Sequence, residues 1–449
     1  KMSFIKKIFS TIFLILSVLL FIYIFYQSKI KWKGELSDDY YQVYFIISLT
    51  LIILSIISFF VSKKIKEYFF ITCIGIFFTL YLFELYTTLS SIIGTNSPNK
   101  KKLEIYKNIT GENYDTRTKF EIFNDLLEMD NNVVVTIYPF KYLENNNKFF
   151  PVSGISNAKT IYCNENGYYS IYESDRFGFN NPDSEWDQKE IEFLLLGDSY
   201  THGACVNRPN DIASVLRSMS KKSVINLGYS GNGPLIQYAA LVEYLKPNTK
   251  KVLWIYYEEN DLFNLNSELK NDILKKYLDD PTFTQNLKDK QIDINIAGQN
   301  LLNEFIKNKT DLNTESKSKI YSNFLNIIKL KQIRHLIKGT STPRPNAQTE
   351  FEKILKLAKK LVSQNNSKLY FVYLPHRNHL ETNFSKNSYL QVKKIVSDLD
   401  IPFIDIKEEV FEKYEDINEL FPFLFKSRVH FNSKGYKKVA ETIYNFDQK

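Results

Sequence analysis

The stretch Phe193-Leu194-Leu195-Leu196-Gly197-Asp198-Ser199-Tyr200 decides how this chain is read. The apolar run 191–196 has the length and character of a buried strand, and it stops at a glycine followed by two polar residues. In a parallel sheet the carboxyl ends of strands are where turns expose side chains to ligands. A serine there can serve as a nucleophile, but a hydroxyl is weak without an adjacent base. Taken alone, Gly197-Asp198-Ser199 is a weak signal, and an Asp or Ser that caps the next helix would be the better reading.

Working outward, similar apolar runs occur at 224–227, 251–257, 368–374 and 401–406, with amphipathic helical stretches such as 349–362 and 389–399 between them. Short apolar strands alternating with helices indicate an α/β fold, a parallel sheet with helices on both faces. The run 133–138 adds one strand-like segment upstream. The interval 262–346 is polar and largely helical, and reads as an insertion that caps or flanks the sheet.

Three further blocks stand at strand ends. The second strand runs into Asn226-Leu227-Gly228-Tyr229-Ser230-Gly231-Asn232-Gly233-Pro234, where glycines permit the unusual dihedrals that aim backbone amides at an oxyanion. The third ends in Tyr257-Glu258-Glu259-Asn260-Asp261-Leu262, and the Asn260 amide can donate to the same oxyanion. Near the C-terminus, Val429-His430-Phe431-Asn432-Ser433-Lys434-Gly435-Tyr436 precedes a final helical run, 437–443. His430 can act as general base because its ordinary pKa lies near neutrality.

The four blocks, in this order, resemble the SGNH (GDSL-like) hydrolase family, and the resemblance spans residues 190–444. It implies a three-layer, flavodoxin-like sheet and a serine esterase or O-acyltransferase working through an acyl-enzyme. Ser199 would be the nucleophile and His430 the base, with the N–H groups of Ser199 and Gly231 and the Asn260 amide as the oxyanion hole. Gly231 lies five residues after Asn226, as the family's second block usually reads; Gly228 is the alternative. The segment Ser174-Asp175-Arg176-Phe177-Gly178-Phe179-Asn180-Asn181-Pro182 is similar to a leader seen in bacterial envelope members, which implies acyl (acetyl) esters of cell-surface glycans as substrates. Two positions depart from the pattern. Ser427 stands where the family places the Asp that orients the catalytic histidine, so a backbone carbonyl, Ser427 or another acid is left to do this. Glu258 stands where the third block usually has glycine. Both departures favour an alternative: a non-catalytic SGNH-fold glycan-binding or scaffold protein of an envelope assembly.

Asp198 and His202 are further candidate orienting or pocket residues. His202, three residues after Ser199, reads better as packing beneath the turn. His376 and His379 follow a strand end and border the site. Their i, i+3 spacing would suit a metal, but no Cys, Asp or Glu cluster completes a ligand set, so neither metal nor cofactor is expected. No phosphate loop or dinucleotide fingerprint occurs.

Upstream of the sheet, three apolar runs near 8–26, 41–61 and 68–93 each approach the roughly 20 residues that cross a bilayer as a helix. No small-residue cleavage site follows the first, so an anchor is expected rather than a signal peptide. Lys6, Lys7, Lys63, Lys64 and Lys66 flank the runs. Counted with the loops, they put the N-terminus inside and everything after residue 93 outside the cytoplasm, although Lys100, Lys101 and Lys102 argue the other way. Glu84, inside the third run, is a functional candidate by its depth, and the favoured alternative is that it packs toward the other two helices or stays protonated. The organisation expected is a three-span anchor (1–94), a connecting and leader segment (95–187), and the hydrolase-like domain (188–449) with its insertion.

Of 449 residues, 24% are charged and 44% hydrophobic, which suits a largely folded chain. The net charge of +8 is spread rather than clustered, so nucleic acid is not an expected partner. The expected partners are the membrane and an acyl ester or glycan; oligomeric state is left open. Of three cysteines, Cys73 lies in an apolar run. Cys163 and Cys205 can pair if their region faces an oxidising compartment, or stay as two buried thiols.

Overall fold

The computed structural model describes residues 2–31, 38–94, 100–143, 148–310, 321–338, 349–380, 387–422 and 429–448. The chain forms two compact units: residues 1–97 with 313–346, and residues 98–312 with 347–449.

The first unit is built on helices α1 (Met2–Phe25), α2 (Asp38–Ile57) and α3 (Lys63–Gly94). Ser10–Ile30 and Lys64–Ser90 are long and apolar enough to cross a membrane, whereas the apolar part of α2, Tyr41–Ile57, falls short of that length. The expectation of three spans therefore narrows to two candidates and a shorter apolar helix. Polarity in this unit is inverted. Ser10, Ser17, Ser48, Ser55, Glu84 and Thr88 are buried, while Leu16, Ile53, Ile71, Phe77 and Phe78 are exposed. The Ser10 hydroxyl donates to the Ser58 carbonyl at 3.3 Å. Glu84 does not simply pack toward α1 and α2. Its two carboxylate oxygens accept the Gln332 and Ile333 N–H groups, at 2.8 Å each, at the start of helix Lys331–Lys338. Part of the interval expected to cover the sheet thus belongs to this unit. Helices Asp261–Glu268, Asp272–Asp279 and Gln291–Thr310 belong to the other.

The second unit begins with helices Lys100–Thr110 and Lys119–Leu127, which lead into a small sheet. Its strands are β1 (Val133–Val135), β2 (Lys159–Ile161) and β3 (Ile171–Glu173), with β2 parallel to β1 and antiparallel to β3. The strand-like run 133–138 is shorter than its composition suggests because Pro139 opens a 3₁₀ turn.

The main sheet consists of β4 (Ile191–Gly197), β5 (Val224–Asn226), β6 (Thr249–Tyr257), β7 (Lys368–Leu374) and β8 (Phe403–Asp405). All are parallel, in the order β5-β4-β6-β7-β8, with Gly197 level with Ile255 and Tyr257 level with Leu374. The period of two along each strand divides the core. Leu194, Leu196, Trp254, Tyr256, Phe371 and Tyr373 face helices Pro234–Tyr244 and Thr349–Gln364. Phe193, Leu195, Leu253, Ile255 and Val372 face helices Ile212–Ser220 and Ser433–Gln448. Each fully buried Leu, Ile or Val is worth about 1.5–3 kcal/mol relative to exposure, so both faces are needed to hold the sheet. This is the α/β, helix-covered parallel sheet that the sequence indicates.

The leader is fastened to this sheet. Asp175 is fully buried and accepts the N–H groups of Phe177 and Phe179, the Asn181 amide and the Trp186 indole N–H. Asn181 in turn donates to the Asn226 carbonyl and accepts the Asn226 N–H, tying the leader to the end of β5.

Candidate active site

The β4 strand ends at Gly197, where an added Cβ would lie 2.0 Å from the Thr201 hydroxyl and 2.7 Å from the Ile255 carbonyl oxygen. Only glycine allows the chain to turn this closely into the short helix Ser199–His202. Asp198 caps that helix by accepting the Tyr200 N–H at 3.0 Å. Its other oxygen accepts the Asn260 amide at 3.2 Å and lies 3.4 Å from the Ser199 hydroxyl. Burial raises the Asp198 pKa, against the opposing pull of the Tyr200 N–H and the nearby His430.

The Ser199 hydroxyl lies 2.9 Å from His430 Nε2. His430 sits on the loop before the last helix. Its ring packs over Tyr200, whose hydroxyl donates to the adjacent Val429 carbonyl at 3.0 Å. The other ring nitrogen, Nδ1, lies 3.1 and 3.2 Å from the two carboxylate oxygens of Glu165, and the His430 backbone N–H donates to the same carboxylate at 2.7 Å. With Nδ1–H donating to Glu165, Nε2 is free to accept the Ser199 proton, the arrangement a general base requires. Burial disfavours the charged imidazole, but the Glu165 hydrogen bond and charge, with Asp198 and Glu259 behind them, hold the His430 pKa above its ordinary 6.5.

Glu165 is a candidate site residue without a motif of its own. It comes from the leader, 265 residues before His430, and no linear spacing points to it. Its loop is held by a disulfide between Cys163 and Cys205, which links the leader to the turn after Ser199. Cys205 Sγ lies within 4.8 Å of the ligand atoms of both Glu165 and His430; as a disulfide sulfur it is no thiolate donor for a metal. The Asn166 amide donates to the Cys205 carbonyl at 3.0 Å, a second tie across the same joint. Ser427, at the position the family pattern reserves for this acid, lies outside the described residues.

The turn after β5 also matches its sequence. Gly231 has φ of +82°, a conformation that favours glycine, and the Phe140 ring presses against it: an added Cβ would meet the ring at 2.7 Å. Gly228 has a different job, since an added Cβ would strike Thr201 at 2.4 Å; it lets the turn pack against the helix Ser199–His202. Buried Glu268 accepts the Gly233 and Leu235 N–H groups at 2.5 and 2.9 Å, fixing the exit of this turn into helix Pro234–Tyr244. Phe140 is 42% exposed and stacks on Tyr138, giving the leader an aromatic wall beside the Gly231 turn.

Among the described side chains, His202, His376 and His379 make other contacts. His202 is fully buried between the rings of Tyr162 and Tyr229. The Ser230 N–H donates to its Nδ1 at 3.3 Å, which leaves Nε2–H to donate to the Tyr172 hydroxyl at 2.9 Å. Burial, with the nearby His430, pushes its pKa down to about 3, so it stays neutral beneath the turn. His379 pairs with Glu258 at 2.7 Å with both side chains buried, and the His376 N–H donates to the same carboxylate. Glu258 therefore joins the ends of β6 and β7 from the position where the family pattern has glycine.

No protein-family model matches the chain, and no curated protein does. Among solved structures it is similar to a lipolytic protein of the G-D-S-L family from Desulfitobacterium hafniense, at 13% identity over 57% of this chain and 99% of that one, with a TM-score of 0.32. It is also similar to the acetyl xylan esterase AlAXEase, at 14% identity over 57% of this chain and 99% of that one, TM-score 0.31. A third is the lipase/acylhydrolase from Enterococcus faecalis, at 13% identity over 57% and 94%, TM-score 0.31. These are likenesses of fold.

Proposed function

We propose that this chain is a membrane-anchored serine esterase or O-acyltransferase of the SGNH type, acting on acyl esters of cell-surface glycans. The observation that carries the reading is the contact series Ser199–His430–Glu165, with 2.9 Å between nucleophile and base and the carboxylate on the far side of the imidazole. His430 takes the Ser199 proton as the serine oxygen attacks the ester carbonyl. The Asn260 amide and the N–H groups of Ser199 and Gly231 receive the developing oxyanion. His430 then gives its proton to the departing alcohol, leaving an acyl-enzyme. Water restores the serine in hydrolysis, and a sugar hydroxyl does so in transfer. The non-catalytic alternative loses its main support, because Glu165 offers the acid that Ser427 does not.

The anchor reading takes α1 and α3 as spans, with α2 as a third. Its support is the inverted polarity of the first unit, small polar groups between helices and large apolar ones outward, as lipid-embedded helices require. The Cys163–Cys205 disulfide supports an extracytoplasmic catalytic unit, since such bonds persist in oxidising compartments. The test uses the full chain in detergent with short-chain nitrophenyl esters and a serine-reactive phosphonate. Ester cleavage with phosphonate on Ser199, both absent in Ser199→Ala, is the expected result. A folded chain that neither cleaves esters nor takes the label overturns the enzyme reading.

A further inference from the structure

Glu84 and the segment it holds take no part in the chemistry above. By its position in Lys64–Ser90, Glu84 lies about 30 Å along the helix from Lys64, so it stands near one edge of a hydrocarbon layer of about that thickness. A carboxylate there is costly unless it is satisfied. Here it is wholly buried and takes the first free N–H groups of helix Lys331–Lys338, where the helix dipole also favours a negative charge. Three residues deeper, the Tyr81 hydroxyl donates to the Ile328 carbonyl at 3.2 Å. Two contacts from one face of α3 thus pin a segment that the chain sends out from, and returns to, the catalytic unit.

The pinned segment has an exposed apolar side. Residues 321–328 are helical, and Tyr321, Phe324 and Ile328, spaced i, i+3, i+7 along one stripe, are 64%, 58% and 48% exposed. Leu336 on the next helix is also exposed, while Ile333 turns inward. Lys329, Lys331 and Arg334 are exposed among them. Helix α3, to which the segment is pinned, carries exposed Phe77, Phe78 and Leu82 of its own. Exposed aromatic and aliphatic residues interleaved with lysine and arginine suit the boundary between headgroups and acyl chains.

We propose that residues 321–338 form an in-plane membrane-interface element, pinned to α3 by Glu84, which enters an anionic phospholipid surface through Tyr321, Phe324, Ile328 and Leu336. This rests on the anchor reading of α1 and α3. The element gives the catalytic unit a second hold on the bilayer, independent of its covalent link to the spans.

The test reconstitutes the full chain in phosphatidylcholine vesicles containing phosphatidylglycerol and a phospholipid with a photoactivatable acyl chain; labelled peptides are then mapped by mass spectrometry. Adducts are expected on α1, on α3 and on residues 321–336. In Glu84→Ala, adducts on 321–336 should fall about tenfold, because the two hydrogen bonds from Gln332 and Ile333 are lost, while those on α1 and α3 persist. Phe324→Ser with Ile328→Ser should lower them without touching Glu84. Labelled spans with an unlabelled 321–336 segment, as a protein partner covering it would also give, overturn the inference and leave the anchor standing. Unlabelled spans overturn both.

Discussion

The two halves of the candidate active site are built on different terms. The sheet-borne half (Ser199, Gly231, Asn260 and His430) sits at strand ends or just before the last helix, each residue inside a short recognisable run. The leader-borne half (Glu165, with Phe140 and the Cys163 end of the disulfide) sits on loops around a three-stranded sheet. The first half is placed by local backbone geometry: a strand stops, a glycine turns, a side chain is left pointing at the site. The second half is placed by long-range ties, so its residues carry no local signature. Chemistry read from motifs alone is therefore incomplete where an accessory segment closes the site.

The sharpest way to break the comparison is to remove each half in turn. Ser199→Ala and His430→Ala should each abolish turnover, by about 10⁴-fold or more in kcat, and the double variant should lose little beyond either single one because the residues act as a unit. Esterase assays at saturating substrate check this; additive losses would mean that the two do not share a step. Asn260→Ala should cost about 10²–10³-fold in kcat, the usual effect of removing one oxyanion donor. Because the Asn260 amide also holds Asp198, Asn260→Asp should do no better, since it brings a second carboxylate to a buried one.

The joint between the halves should give a smaller effect. Replacing Cys163 and Cys205 together by serine should lower kcat with little change in KM, because the loop carrying Glu165 loses its tie to the nucleophile turn. In a Glu165→Gln background the same replacement should cost almost nothing more. A full additional loss there would mean that the disulfide serves stability and not the acid. Smallest of all, Ser427→Ala should leave kcat where it is, since the imidazole Nδ1 already faces a carboxylate.

Much of the fold was legible because period and length agree. The runs at 191–196, 368–374 and 251–257 are too short and too apolar for anything but covered strands, and all lie within strands of one parallel sheet. His202 was legible as packing because it follows Ser199 within a single helical turn, and it lies buried between the Tyr162 and Tyr229 rings. Glu165 was not legible. The acid is one of several carboxylates in a polar stretch, and the ties that bring its loop to His430, the Cys163–Cys205 pairing among them, were undecided by sequence. Glu84 was half legible. An ionisable group in an apolar run demands a partner, but nothing in the run says that the partner is a helix start about 250 residues away.

The central claim is that the leader completes the site through Glu165, and the pH dependence of kcat in the wild type and in Glu165→Gln tests it most directly. Activity needs the neutral imidazole, so kcat must fall as pH drops through the His430 pKa, which Glu165 and its neighbours hold above 6.5. Glu165→Gln removes a charge that raises this pKa. The acidic limb should therefore move to lower pH while the plateau drops by about 10²–10⁴-fold and KM stays nearly constant. An unchanged limb and an unchanged plateau would show that Glu165 does not orient the base, and the claim would fall.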